Sequence, residues 1–144
     1  MVYADNAATT KMSRTAIDAM LPYMETHYGN PSSLYAFAQI VTEDLANARA
    51  TVAQCINAEP REIYFTSGGS EADNQAIISA AKLGAKKGKK HIISTKFEHH
   101  AVLHTLKKLE KEGWDVTLLD VHEDGVVRVD ELRDAIREDT CLVT

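Results

Sequence analysis

The sequence predicts an α/β fold, with a mostly parallel sheet and flanking helices. The first observation is that short apolar runs recur along the second half of the chain, beginning near Glu62, His91, Val116 and Cys141. The second is that patterns of amphipathic helices separate these runs, at about 70–87, 99–112 and 130–138. Strands that alternate with helices at this interval are typical of βαβ units.

The chain before the first apolar run is predicted to be helical. Residues 1–12 are mostly small and polar, and we expect them to form an extended arm. A helix from Arg14 to about Glu25 is predicted to follow this arm. A turn cluster at 28–33 precedes a long helix that ends near Pro60. Apolar residues recur along this helix at steps of three and four: Phe37, Val41, Leu45, Ala48, Val52 and Cys55. This stripe predicts that Cys55 is an inert thiol in the core.

The predicted strand at 63–65 leads through a glycine-containing turn into a helix. Ser70 with Asp73 fits a capping pattern, so Ser70 is expected to cap this helix, as Asp130 is expected to cap the last one. Residues 122–128 predict a small polar loop or hairpin. The last residues resemble a buried strand, so we expect residues 13–144 to form the first half of a larger, truncated domain after the arm at 1–12.

Composition excludes several functional classes. The chain has 144 residues, of which 44% are hydrophobic and 26% charged, as in globular proteins. A net charge of -5 argues against nucleic acid as the main partner. The sequence has neither an apolar run of membrane-spanning length nor a signal-peptide pattern, and its two cysteines are not in a Cys-x-x-Cys context. A cytoplasmic protein is therefore expected.

The glycine turn is a candidate anion site. Gly68 and Gly69 allow close approach of a ligand, and Ser70 lies where free backbone N–H groups and the helix dipole favour a phosphate. The turn matches neither the Walker motif nor Gly-x-Gly-x-x-Gly. An ordinary β-to-α turn is the alternative interpretation.

The histidines near residue 100 allow two interpretations. His99 follows a predicted strand, at the sheet edge where ligands of parallel sheets collect, and it shares a helix face with Leu103 and Leu106. The alternative is a partly buried histidine without a function. His100 and His104 share another face and could bind a metal, but Lys107, Lys108 and Lys111 continue that face and disfavour it. The lysine cluster at 82–90 is expected to be solvated.

Four motifs in register resemble one enzyme family. They are Tyr3–Thr10, Tyr28–Ser33, Phe65–Asn74 and Glu98–Leu103. Their order and spacing are similar to those of cysteine desulfurases of the NifS/IscS type, which are pyridoxal 5'-phosphate (PLP) enzymes of the class V aminotransferase superfamily with fold type I. Selenocysteine lyases and other class V PLP enzymes share much of this pattern and stay open as alternatives.

The resemblance implies roles for particular residues. Gly69 and Ser70, beside Gly68, would hold the PLP phosphate, and His99 would stack on the cofactor ring and assist proton transfers. Asn30 would lie near the active-site entrance and dimer contact. This chain has Ser70 where the family usually has threonine, which keeps the hydroxyl. It also has Tyr35 for histidine and Ala38 for glycine, and these departures put the entrance geometry in doubt.

The resemblance also implies an activity and the parts that it needs. The parent would be a homodimer that converts L-cysteine to L-alanine and passes the sulfur, as an enzyme persulfide, to Fe–S scaffold or other acceptor proteins. No lysine here has the Ser-x-His context of the Schiff-base lysine. The pyridinium aspartate and the persulfide cysteine belong to later segments of the family. The isolated chain is therefore expected to be inactive; a non-catalytic module that binds phosphate or a partner is a further alternative.

Overall fold

The structure, a computed structural model, describes residues 2–144 and divides into two compact units that meet in sequence between Tyr64 and Phe65. The first unit contains α1 (Arg14–Glu25), α2 (Ala36–Cys55) and a 3-10 turn (Pro60–Glu62). The second contains α3 (Gly69–Ala85), β1 (His91–Thr95), α4 (His100–Lys111), β2 (Asp115–Leu119), α5 (Val129–Ala135) and β3 (Thr140–Val143). The predicted arm and truncated domain stay predictions. No helix within residues 2–144 is long and apolar enough to cross a membrane.

The first unit confirms both predicted helices. The Ser13 hydroxyl caps α1 by accepting a hydrogen bond from the Ala16 amide at 3.1 Å. The Tyr23 hydroxyl donates to the Asp44 carboxylate at 2.8 Å and so ties α1 to α2. The Asp44 carboxylate raises the pKa of Tyr23, because it accepts a hydrogen bond from the protonated phenol. The second contact joins the two helices through polar groups on their surfaces.

The predicted core stripe of α2 is wrong in this structure. Phe37 and Val52 are 52% and 41% exposed, and Cys55 is exposed as well. Ala38 and Ala53 are the buried residues of the helix instead. A Cβ added at Gly29 would lie 3.0 Å from the Ala38 Cα. The loop that precedes α2 therefore packs too closely against Ala38 for a large side chain at that position. Close packing therefore selects small residues, and the larger apolar ones face outward.

The predicted strand at Ile63–Phe65 does not form. A strand exists only when its backbone pairs with another strand, and the described sheet has the order β2-β1-β3 without this segment. The Ile63 carbonyl accepts a hydrogen bond from the Arg49 guanidinium instead. Tyr64 is 71% exposed. The backbone of Ile63 is extended, but the segment is not a strand of this sheet, so the predicted strand is wrong.

The second unit confirms the α/β fold with a parallel sheet. Strand β1 is central and pairs in parallel with β2 on one side and with β3 on the other. Helix α3 packs on β3 and α4, and α4 also packs on β2, so both helices cover one face of the sheet. The core between them is apolar and consists of Ile77, Ala81, Ile92, Val102, Leu106 and Leu109. Burial of this face supplies the main favourable free energy of the unit.

Two smaller predictions have different outcomes. Asp130 does not cap α5, because Arg128 is the N-cap and Asp130 lies in the first turn. Its negative charge there still interacts favourably with the helix dipole. The polar loop at 122–128 is confirmed as a tight turn. The Gly125 amide donates to the His122 carbonyl at 2.8 Å, and Gly125 has a φ of 77° that favours glycine.

Gly84 is where α3 touches β3. A Cβ added at Gly84 would lie 2.3 Å from the Cys141 Cβ and 3.1 Å from the Lys89 carbonyl oxygen. Cys141 is therefore held against the helix, where its thiol donates to the His91 carbonyl at 3.3 Å. Burial raises the pKa of this thiol. A protonated, poorly accessible thiol is a weak nucleophile.

His91 lies fully buried at the start of β1. Its ring nitrogens are 2.8 Å from the Thr140 hydroxyl and 2.9 Å from the Thr117 hydroxyl, so one imidazole bridges all three strands. Burial lowers the pKa of His91, and the positive charge of Arg137 lowers it further. The neutral ring donates to one hydroxyl and accepts from the other.

We predict that Gly84→Ala destabilises the protein by about 1–3 kcal/mol, because the new methyl group must displace β3. Urea denaturation measures the change. Ser79→Ala, at an exposed position of the same helix, is the control and should alter stability by only a few tenths of a kcal/mol. A gain in stability for Gly84→Ala, as expected for an exposed helical glycine, would contradict the packing.

We also predict that folding stability depends on pH through His91. The pKa of His91 is lowered from its ordinary value of 6.5, so the unfolded state binds the proton more readily. Stability is full above pH 6.5 and falls as the pH drops below it, until the lower folded-state pKa is passed. Urea midpoints between pH 5 and pH 8 measure this slope. His91→Gln should flatten it, and an unchanged slope would rule out His91 as its source.

Candidate functional site

Hydrogen bonds to a carboxylate stabilise the glycine turn before α3. Gly68 is the N-cap residue of α3, and Ser70 is the second residue of the helix, so the prediction that Ser70 caps α3 is wrong. Gly68 provides no side-chain cap for α3, and the Glu71 carboxylate instead orders the turn that precedes the helix. It accepts from both the amide and the hydroxyl of Ser67, each at 2.7 Å. These two bonds lower the pKa of Glu71.

This arrangement leaves the start of α3 open. The first amides of a helix have no intrahelical acceptor, and Glu71 satisfies an amide that precedes them. A Cβ built at Gly68 or Gly69 would meet no atom within 4 Å, so space lies directly beside the turn. The Ser70 side chain is exposed next to this space. Backbone N–H groups and a hydroxyl around open space are suited to an anion.

His99 is the N-cap of α4 rather than a member of its inward face. Its Nδ1 accepts a hydrogen bond from the Ala101 amide at 3.1 Å. The prediction that His99 shares the face of Leu103 and Leu106 is wrong, because the residue precedes the helix and its side chain is exposed. Since Nδ1 accepts, the neutral imidazole carries its proton on Nε2.

One groove brings the predicted residues together. It has a volume of about 380 Å³, and Ser70 and His99 both line it, from the starts of α3 and α4. The other lining residues are Asn74, His100, Ala101, His104, Thr105 and Lys108. Gly68 and Gly69 directly precede Ser70 at this edge. The volume lies within the range of small-molecule sites.

Asn74 and Thr105 are site residues that the sequence reading missed. The Asn74 side chain donates to the Ser70 carbonyl at 2.7 Å, and the Thr105 hydroxyl donates to Asn74 Oδ1 at 2.5 Å. The available signal was spacing, since Asn74 lies one helical turn after Ser70 and so faces the same way. Nothing in the sequence pairs Asn74 with Thr105.

The outer histidines and lysines have no comparable geometry. His100 and His104 stack at 5.3 Å between ring centroids, and residues 2–144 contain no cluster of three or more His, Cys, Asp or Glu side chains that could hold a metal. The lysines at 82, 86, 87, 89 and 90 are exposed, which confirms that the cluster is solvated. Lys90 lies over the Trp114 ring, 5.1 Å from its centroid.

The three first-unit residues named from the resemblance have local roles. Asn30 accepts from the Ser32 amide at 2.9 Å and so shapes the turn. Tyr35 is the N-cap residue of α2 and is 76% exposed. Ala38 is 1% exposed, at the position that contacts Gly29. A role for Asn30 at an entrance or dimer contact stays a prediction.

The sequence matches a family model, that of the class-V aminotransferases, over residues 2–144. The chain therefore belongs to the class-V aminotransferase family, whose members include PLP-dependent enzymes. The matched residues include three features described above: the parallel sheet, the glycine turn before α3 and the histidine before α4.

Curated relatives narrow the similarity. The chain is 50% identical over 143 residues to the cysteine desulfurase IscS of Clostridium botulinum, covering 99% of this chain and 36% of the relative. It is also 50% identical to IscS of Methanosarcina thermophila, of which it covers 35%, and 47% identical to the putative cysteine desulfurase IscS 1 of Bacillus subtilis, of which it covers 38%. The chain thus spans little more than a third of the relatives that it matches.

Solved structures agree with this fold. A NifS-like protein superposes with a TM-score of 0.90 and 37% identity, over 99% of this chain and 39% of that protein. A structure of SspA in complex with cysteine gives a TM-score of 0.85 and 34% identity, over 98% of this chain and 40% of that one. The predicted fold type and family resemblance are confirmed.

We predict that Glu71→Gln loosens the glycine turn, because a neutral amide accepts more weakly than a carboxylate. Hydrogen exchange at the Ser67 amide should become faster than in the parent protein. Since the pKa of Glu71 is lowered from 4.5, its protection of Ser67 should be full above pH 4.5 and disappear as the pH falls through the lower folded value.

Glu138→Gln is the control for this exchange experiment, because Glu138 is exposed and far in sequence from the turn. Equal Ser67 exchange in the Glu71 and Glu138 variants would show that the carboxylate does not order the turn.

Proposed function

We propose that this chain is the N-terminal part of a PLP-dependent cysteine desulfurase. Such an enzyme converts L-cysteine to L-alanine and retains the sulfur as a persulfide for Fe–S cluster assembly. The observation that carries the proposal is the single groove that Ser70 and His99 line from two helix starts. The 50% identity to IscS proteins supports L-cysteine as the substrate, and selenocysteine is the alternative substrate. We place the enzyme in the cytoplasm as a homodimer.

The residues of the glycine turn fit the cofactor phosphate. Gly68 and Gly69 leave space that a Cβ would fill, and the first amides of α3 face a ligand at the helix start. The Ser70 hydroxyl adds a donor at the same place. A phosphate dianion there gains from the helix dipole as well as from these bonds.

His99 fits the face of the cofactor ring. It is held outside α4 by its bond to the Ala101 amide, so the imidazole plane is oriented before any ligand arrives. Its Nε2 proton remains available to a substrate group on the groove side. A flat ring with one exchangeable proton can stack on an aromatic cofactor and also move a proton.

PLP, when bound, supplies an electron sink that lets the substrate sulfur leave. The contribution of this chain is to bind and orient the cofactor. The relatives are much longer than the chain, and the family's Schiff-base lysine has no counterpart among its residues. Catalysis would therefore need residues outside 1–144.

We predict that Ser70→Ala weakens PLP binding by about 1–2 kcal/mol, the scale of one hydrogen bond to a charged group. The dissociation constant is measured by titrating the full-length apoprotein with PLP. Ser70→Thr is the matched control, since it keeps the hydroxyl and should retain the parent affinity. Equal affinities for the alanine variant and the parent would remove Ser70 from the phosphate site.

We further predict that His99→Asn lowers the rate of alanine release from cysteine by about 10²-fold or more, while PLP stays bound. Asparagine keeps an N-cap acceptor for α4 and removes only the ring. His100→Asn, on the same groove, is the control and should leave the rate within a few-fold of the parent. Unchanged turnover in the His99 variant would exclude it from the mechanism.

A further inference from the structure

The starts of α3 and α4 are joined by a polar contact. The Asn74 amide nitrogen donates to the Ser70 carbonyl at 2.7 Å and lies 3.4 Å from the Ala101 carbonyl. From the other side, the Thr105 hydroxyl donates to Asn74 Oδ1 at 2.5 Å. We call these two side chains, Asn74 and Thr105, the helix clasp. The clasp spans two helices that are separate in sequence.

The hydrogen bonds fix the orientation of both side chains. Asn74 has its donors toward two carbonyl groups and its acceptor toward a hydroxyl, so a flipped amide would oppose like atoms. Thr105 is 3% exposed and has one proton; its contact with Asn74 is shorter than its 2.8 Å contact with the Ala101 carbonyl. An unpaired hydroxyl at such a buried position is costly.

Hydrogen bonds connect the clasp to both proposed ligand-binding residues, Ser70 and His99. At one end Asn74 holds the backbone of Ser70. At the other, Ala101 offers its carbonyl to Asn74 and donates its amide to His99 Nδ1 at 3.1 Å. A continuous series of hydrogen bonds therefore runs from the Ser70 backbone to the His99 imidazole.

We infer that Asn74 and Thr105 are positioning residues that set the separation and rotation of Ser70 and His99. The inference rests on the proposed function, in which these two groups bind opposite ends of one cofactor. Apolar packing between α3 and α4 is not directional, whereas hydrogen bonds fix the rotation of each helix. A cofactor held at its phosphate and at its ring needs that rotation, since misplacement by about 1 Å can lower a rate 10²-fold.

The test uses the full-length protein reconstituted with PLP and compares Thr105→Val with the parent. Valine keeps the shape of threonine and replaces the hydroxyl with a methyl group. We expect the PLP dissociation constant to rise about 5- to 10-fold, the effect of losing one good hydrogen bond. We also expect a weaker circular dichroism band of the bound cofactor, because its ring is held less uniformly. Asn74→Ala should give at least as large an effect.

Two controls separate positioning from general destabilisation. Thr105→Ser restores the hydroxyl and should return the PLP affinity and the cofactor band to within about twofold of the parent. Ile77→Val removes a buried methylene from α3, one turn beyond Asn74, and should lower the urea midpoint without changing either cofactor readout.

The outcomes distinguish the two levels of the proposal. A parent protein that binds no PLP overturns the proposed function. A parent that binds PLP, with Thr105→Val and Asn74→Ala unchanged in affinity and in circular dichroism, overturns the clasp alone. Equal losses in Thr105→Val and Ile77→Val also overturn it, because stability would then be the cause. Loss in the valine variant with recovery in the serine variant supports it.

Discussion

The parallel pairing of β1 with both of its neighbours is the constraint on which the site depends. In a parallel sheet each helix must run back against the strands, so helices that flank β1 start at its carboxyl edge. Helix α3 leads into β1 and α4 follows it, and both pack on the same face. The two helix starts are thereby brought side by side. Ser70 and His99 share a groove because of this topology, although 28 residues separate them in the chain.

The sequence was sufficient to predict a parallel sheet with flanking helices, although not the strand order, because periodicity reports burial. The strands at 91, 115 and 140 and the helices between them were predicted to within one to a few residues, and all of these elements except α5 have residues in or against the apolar core. Ile63–Phe65 has the same β propensity, but a strand needs a partner, and propensity does not reveal whether one is present. For Cys55 the pattern was regular, yet the close approach of Gly29 to Ala38 determined which side of α2 is buried.

Within the site, residue types were easier to predict than their geometry. Glycine, serine and histidine near the sheet edge were recognisable as candidates, and Ser70 and His99 both line one groove. Their local roles were less accessible. Gly68 rather than Ser70 is the N-cap residue of α3, and His99 caps α4 instead of packing inward. Capping depends on which of several adjacent polar side chains reaches an amide, and spacing alone allows more than one solution.

The division of hydrogen bonds around the groove explains why its surface suits a ligand. Glu71 holds Ser67 in the turn, and the clasp links α3 to α4. Neither uses the first amides of α3, the Ser70 hydroxyl or His99 Nε2. Those groups are thus held in place by neighbours while their own hydrogen-bonding capacity stays unused. Preorganised, unpaired donors bind an anion at a smaller cost of ordering, and this is the physical basis of the proposal that Ser70 binds a phosphate.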